Sequence, residues 1–572
     1  DYEISFAKKG LLDLSTSNIT ELKSNCVIKG LDTIVVPRTI RDMFFTSEYG
    51  SGYSEIYNIW SALVASIDSS GVFPEARHLD ADTGRVDDYV GIDFIGLQLR
   101  NIDLSALVNV AEAKNFYLSP TSVNPSFNKN RDGVEYPYLQ PSGILDLSDY
   151  TESLAKFFDG VDLNKLIVVC NKSLPQTDLS YCFYNATFSN DDAIDTILSN
   201  MSSVTNLDYC FYKTGVSNTD ILNKINTGPN TTMNYTFAEC PNVRSLSNVV
   251  IPDNVIEVEG MFNKCPLTSI TNMSINVRGS ISGLFKGCEQ LMTIATLNIP
   301  NVTDVSSTFE GCSSLTNLTG FELPSTCTAV DNLFNGCYAL KTLSMVFGPS
   351  IQSGENWYPP NIETLNDTSI LTDHVKLANC NTLTSINNLS INTASLDNFF
   401  DGCTNLRVLN GFTVGNKATS AVGLFKGLTL SSYSDISLSE TITNYTSCFE
   451  GCKWFSNMDS ITGVFVSTRD KNFTACFKDS NVTSLADITI RGNISQAFQN
   501  SKLASVSNVE FNITNGTDAF KNCTNLTTVD NITIGNRVRS LESFLQGCRF
   551  EQTSFAIPDS VTNITSLFRD NP

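Results

Sequence analysis

Apolar positions recur along most of this chain in a pattern that is neither helical nor simply alternating. After Phe285 come Leu291, Ile294, Leu297 and Ile299, then Pro300, Val302 and Val305 before Phe309. After Phe309 come Leu315, Leu318, Phe321 and Leu323, then Pro324, Val330 and Leu333 before Phe334. Steps of three, three and two residues match neither a helical face nor a strand of period two. They match a solenoid coil, in which a short strand and a looser return segment send side chains to one axis. No single coil buries its own apolar side, so many stacked copies are required. The pattern predicts a repeat solenoid, mainly short parallel β-strands with irregular or short helical returns.

The register is marked by a recurring phrase, Phe-x-Gly-Cys. It occurs at Phe285 to Cys288, Phe309 to Cys312, Phe334 to Cys337, Phe400 to Cys403 and Phe449 to Cys452. Looser copies carry Phe237, Phe262 and Phe520, and Phe425 keeps the aromatic without the thiol. Spacing is mostly 21 to 28 residues. The exception is the 43 residues from Phe334 to Leu377, which contain Trp357 and Tyr358 followed by Pro359 and Pro360. That stretch reads as a divergent turn, an insertion or both, with an irregular insertion expected near residues 347–366. Most of the 17 cysteines fall in phase with the anchors. A thiol is a small buried hydrophobe with a weak donor, so the column needs no disulfide. No paired Cys-x-x-Cys occurs and the only histidines are His78 and His374, so zinc is not indicated and no cofactor is expected.

These residues resemble the BspA-like leucine-rich repeats, whose pattern runs roughly Ala-Phe-x-Gly-Cys-x-x-Leu-x-x-Ile-x-Ile-Pro. The resemblance covers residues 142–572, and the Ile-Pro step is clear at Ile251-Pro252, Ile299-Pro300 and Ile557-Pro558. It implies a leucine-rich-repeat solenoid used on exposed surfaces for adhesion or attachment, in bacterial surface proteins, some protist proteins and some viral or phage particles. It supplies no catalytic residues.

Residues 1–140 lack the repeat and read as a separate mixed cap or attachment domain, followed by the solenoid of 141–572. A short helix is predicted over 57–67, and strands over 26–37 and 89–99. A linker rich in Pro, Ser, Asn and Gly spans 119–143. Asp80, Asp82, Asp87 and Asp88 form a weak calcium candidate, but the EF-hand order is not met; a solvated acidic loop is the simpler account. Asp82-Thr83-Gly84 resembles an aspartic-protease triplet, but its polar flanks argue against it.

Charge narrows the partners. Asp and Glu total 59 against 37 Lys and Arg, a formal charge of -22, with no basic stripe. Nucleic acid and anionic membranes are therefore excluded as main partners, and no apolar run long enough to span a bilayer occurs. The chain opens at Asp1 without a leader, so it reads as processed or a fragment. It stops at the anchor Phe568, so a further segment or a second subunit is expected to cover the last coil.

Function follows from surface rather than from reacting groups. Thr316 and Asn317 in one turn, and Thr527 and Thr528 in another, belong to a predicted face of hydroxyls and amides suited to many modest hydrogen bonds. Trp357 and Tyr358 are expected to project as the best single contact point. Frequent Asn-x-Ser/Thr triplets, as at Asn444 and Asn472, are expected by-products of the coil pattern. The first functional expectation is a non-catalytic, extracellular-facing attachment protein contacting protein or glycan on a host or neighbouring surface. The second is a structural component of a virus or phage particle. The third is a hydrolase or calcium-binding activity within residues 1–140.

Overall fold

The computed structural model describes residues 141–571, apart from 149–152, 217–218, 467, 550–551 and 554, and the backbone of short strands before residue 141. Two compact units divide the chain. One comprises residues 1–302 with 308–312, the other 303–307 with 313–572.

The second unit shows why the apolar steps are three and two. Thr364–Ile370, Ser385–Ile391, Val408–Val414 and Ser432–Ser437 are neighbouring parallel strands, with Leu365, Ile386, Leu409 and Tyr433 in one row. Each has a residue of positive φ at its middle: Asp367, Asn388, Gly411 and Asp435. That left-handed residue breaks the strand's alternation, so Ile386, Leu389 and Ile391 all point inward. Asp, Asn and Gly tolerate the conformation best, and the side chains also link the strands, Asn388 donating to Asp367 at 2.8 Å. The same device stands in the first unit at Asn248, within Ser245–Ile251, where Leu246, Val249 and Ile251 are buried.

The anchor turn uses the left-handed region twice. Residues two before and two after the aromatic have positive φ, as Asn398 and Gly402 do around Phe400, and Ser447 and Gly451 around Phe449. This is the physical reason for glycine in Phe-x-Gly-Cys. Backbone N–H groups of the turn then donate to the next coil, as Ser447 does to Thr474 and Phe449 to Cys476. Even the turns are therefore laddered, and few backbone groups are orphaned.

The aromatic anchors stack. In the first unit Phe158, Phe183, Phe211, Phe237, Phe262, Phe285 and Phe309 form one column, with centroids 5.1–5.9 Å apart and planes within 17°. In the second, Phe400, Phe425, Phe449, Phe477, Phe498 and Phe520 do the same at 5.1–6.0 Å; Phe334 is also buried. The α-helix Asp192–Asn200 occupies a return segment in the first unit and buries Ala193, Ile194, Ile197 and Leu198. A leucine-rich-repeat type of parallel solenoid with short helical returns is thus the observed architecture.

The segment expected as an irregular insertion is instead a divergent coil. Thr342 and Leu343 pair with Thr364 and Leu365, which pair with Ser385 and Ile386. Asn356 takes the left-handed place two residues before Tyr358. The 43-residue gap therefore holds a turn whose anchor phrase has changed, because backbone pairing preserves the coil where the motif is lost.

Before residue 141, Tyr2–Asp13 pairs in parallel with Cys26–Val35, Tyr2 opposite Cys26. Glu75–Leu79 lies parallel to Asp42–Phe45 and antiparallel to Val86–Asp87. Cys26–Val35 falls within the strand predicted over 26–37. The helix predicted over 57–67 and the strand over 89–99 lie outside the described residues.

Candidate functional site

The thiols are the first groups that could supply chemistry, and their surroundings make them structural. Each of the 16 described cysteines is buried, most of them as free thiols. In the anchor register the Sγ donates to an anchor carbonyl one coil earlier: Cys288 to Phe262 at 3.1 Å, Cys312 to Phe285 at 3.2 Å, Cys403 to Leu377 at 3.1 Å and Cys452 to Phe425 at 3.0 Å. Cys337 lies buried in the same register. Burial pushes the Cys403 and Cys452 thiols up to about 12, so the thiolate needed by a nucleophile or metal ligand is not formed near neutrality. Among the described residues no group of three His, Cys, Asp or Glu is placed to hold a metal. Asp80, Asp82 and Asp88 lie outside the described residues. Asp87 is described by backbone alone, opposite His78.

The predicted polar face is present, but many of its hydroxyls bond to the preceding coil. Thr527 and Thr528 are exposed, and Thr527 Oγ1 donates to Ala504 O at 3.4 Å. Thr384, Ser431 and Thr483 make the same bond to Glu363, Arg407 and Ser456. Thr316 and Asn317 are exposed, and Asn317 Oδ1 closes an Asx turn on the Thr319 N–H at 2.9 Å. The Asn-x-Thr triplets at Asn444 and Asn472 are also Asx turns, accepting from Thr446 and Thr474. The hydroxyls tie each coil to the one before it, and the Asn oxygens fix the turn within a coil.

Trp357 does not project. Its ring is 1% exposed, lies 4.4 Å edge-on from Phe347, and its Nε1 donates to Lys376 O at 3.0 Å. Tyr358 is half-buried, with its hydroxyl donating to Ala378 O at 3.2 Å. The expectation of an exposed anchor at Trp357 is corrected: the divergent coil needs a large side chain inside, and Trp357 fills it.

A stacked aromatic feature at the surface lies elsewhere, in the first unit. Tyr181, Tyr209 and Tyr235 each sit two residues before an anchor phenylalanine, and Tyr184 and Tyr212 one residue after. All five are half-buried. Tyr181 stacks on Tyr209 at 4.8 Å, Tyr209 on Tyr235 at 5.0 Å, and Tyr184 on Tyr212 at 4.9 Å, with planes within 9°. The first column is produced by the left-handed backbone at Tyr181, Tyr209 and Tyr235, which swings equivalent side chains of successive coils into one line. Gly260 has φ +56 and ends it; a Cβ there would lie 2.4 Å from the Tyr235 ring. Lysines flank both columns, Lys156 Nζ 5.6 Å from the Tyr181 centroid and Lys213 Nζ 5.4 Å from that of Tyr212. The signal was present in the sequence as a repeated Tyr-Cys-Phe-Tyr at 181–184 and 209–212.

Electrostatics at the columns are set by burial and by carboxylates. Burial first, then Asp208 and Asp159, raises the Tyr181 phenol above its usual value; burial and Asp159 do the same to Tyr184. Burial, the largest single influence, pushes the Glu239 carboxyl up. Hydrogen bonds from Tyr212 and Lys264 and the Lys213 charge outweigh it and hold Glu239 below the usual range. The phenols are therefore neutral donors and acceptors, suited to holding a surface rather than moving a proton.

Comparisons with known proteins agree with the repeat seen here. The family described as BspA type leucine rich repeat region matches residues 231–364 and 492–571, in six copies. A second, described as a Mycoplasma protein of unknown function, DUF285, matches residues 177–278, which contain the five tyrosines. No curated protein matches the chain. A leucine-rich repeat protein from Bacteroides ovatus is 18% identical, covering 56% of this chain and 83% of that one, with a TM-score of 0.27. A leucine rich cell surface protein from Faecalibacterium prausnitzii is 16% identical, covering 55% and 92%, with a TM-score of 0.20. With phased turns, stacked anchors and this match, residues 231–364 and 492–571 carry repeats of the BspA leucine-rich type.

Proposed function

We propose that this protein is a non-catalytic binding protein displayed on an outer surface, where it attaches to protein or glycan on a host or neighbouring surface. The observation that carries this reading is the double column of half-buried tyrosines in the first unit. Tyrosine offers large, rigid contact area at small entropic cost and is enriched where proteins recognise one another. The repeat family supports a binding role in general terms. The buried, unreactive thiols supply no nucleophile. The test is binding of the full chain to arrayed surface proteins and glycans, beside Tyr181→Ala/Tyr209→Ala. Loss of a specific signal in the variant is expected. Equal signals from both proteins would sink the role of the columns. Labelling of intact cells with antibody to the chain checks the location.

A second reading, a structural part of a virus or phage particle, is favoured by one observation. Most of the described cysteines are free, buried thiols, which suits folding in a reducing compartment. Immunogold labelling distinguishes the two: gold on particles supports the second, gold on cell envelopes the first.

A further inference from the structure

Stacking decides what the tyrosine columns can offer. Rings 4.8–5.0 Å apart and nearly parallel cover one another's faces, so solvent meets mainly ring edges and phenol oxygens. Lys156 covers Tyr181, and the Gly260 backbone lies against Tyr235. A sugar ring therefore finds few open faces for stacking. After burial, the Asp208 and Asp159 carboxylates raise the Tyr181 phenol; Tyr209 is raised, after burial, by its neighbours Tyr181 and Tyr235 and then by Asp208. The chain around them carries a formal charge of -22. Two ammonium groups of the chain itself already sit at cation–π distance, Lys156 at 5.6 Å and Lys213 at 5.4 Å. Lys213 is 47% exposed at its side chain and shares Glu239 with Lys264, so it is tethered at the surface and can be displaced.

We propose that the tyrosine double column docks a polypeptide segment rich in lysine and arginine, whose cations exchange with Lys156 and Lys213. This rests on the binding reading above and names its partner class. Arginine and lysine carry donors only, which complements phenol oxygens and carboxylates. Arginine also packs its planar group on aromatic faces, here the two outer faces that Lys156 and Lys213 occupy.

The test uses the full chain with four probes: octa-arginine, octa-lysine, octa-glutamate and a neutral hexasaccharide, at physiological salt. Tyr181→Ser/Tyr209→Ser/Tyr235→Ser leaves net charge unchanged, so adventitious attraction to an acidic protein is held constant. It should weaken octa-arginine about tenfold, the sum of a few exposed cation–π and hydrogen-bond contacts. Lys156→Ala/Lys213→Ala should strengthen octa-arginine about threefold more than the charge-matched Lys341→Ala/Lys521→Ala does. Should the triple variant misfold by circular dichroism, Tyr181→Phe/Tyr209→Phe removes only hydroxyls and is expected to give a smaller loss in the same direction. Equal octa-arginine binding by wild type and the tyrosine variants overturns the proposal. Tyrosine-dependent binding of the hexasaccharide or octa-glutamate instead overturns the basic-partner claim and leaves the binding surface standing. If no probe shows tyrosine dependence, both fail.

Discussion

At the scale of single residues, left-handed backbone explains composition that looks arbitrary in the sequence. Non-glycine residues at positive φ cost about 1–2 kcal/mol each, so Asn, Asp and Gly gather at the three left-handed places of a coil. Two glycines in equivalent turns separate this cost from crowding. Gly451 has φ +75 and open space where a methyl would go, whereas at Gly402, φ +76, a Cβ would lie 2.8 Å from the Asn379 Cα. Gly451→Ala should cost about 1–2 kcal/mol, and Gly402→Ala clearly more, because backbone cannot step aside as a side chain can. Hydrogen exchange of the adjoining coils measures both; equal losses would show that crowding does not matter here. Asn388→Val loses the bond to Asp367 and places a β-branched residue at φ 62, with an expected loss of about 2–3 kcal/mol. The asparagines were legible as a recurring class, but the reason for their places was not, because sequence does not display φ.

At the scale of the element, each coil is stabilised by its neighbours rather than by itself. Phe477 lies 5.2 Å from both Phe449 and Phe498 with planes within 3°. Phe477→Ala should cost about 3–5 kcal/mol and should loosen the coils on either side before distant ones, since a solenoid's interactions are nearest-neighbour. Protection lost uniformly across the whole unit would contradict that. The coil's strand was foreshadowed by the three-and-two apolar spacing, and its return by the Ile-Pro step. The divergent coil around Trp357 was legible only as one alternative to an insertion: its anchor phrase is gone, and the pairing of Thr342 with Thr364 and Thr364 with Ser385 decides for the coil.

At the scale of the whole molecule, the thiols tie stability to pH. Burial holds Cys240 at about 11 and Cys403, Cys452 and Cys548 at about 12, against 9.0 ordinarily. Folded pKa values above the unfolded ones mean that this stabilisation is complete below pH 9. It is lost as pH rises, because the unfolded chain releases protons that the folded chain keeps. Each such thiol removes about 1.4 kcal/mol per pH unit above about 9 until its folded value is reached. Lys471 acts in the opposite sense. It is buried, bonds to the Gly463 and Val464 carbonyls, and is pushed down by burial to about 8. The unfolded chain keeps its proton to about 10.5, so this one group adds stability between pH 8 and 10.5. The many thiols outweigh the single amine. Urea midpoints under reductant should fall steeply from about pH 9 to about pH 11, and an unchanged midpoint would contradict the buried-thiol account.

Along the chain alone, period, register, anchor identity and the buried fate of the thiols were already settled, because a repeat must present the same side chains to its neighbours at every turn. Exposure was another matter. Trp357 looked available and is enclosed, whereas the paired Tyr-Cys-Phe-Tyr segments, given no role along the chain, place an aromatic double row at the surface. Which side chains meet across coils depends on backbone conformation and on neighbours about 24 residues away, and those relations exist only once the coils have stacked.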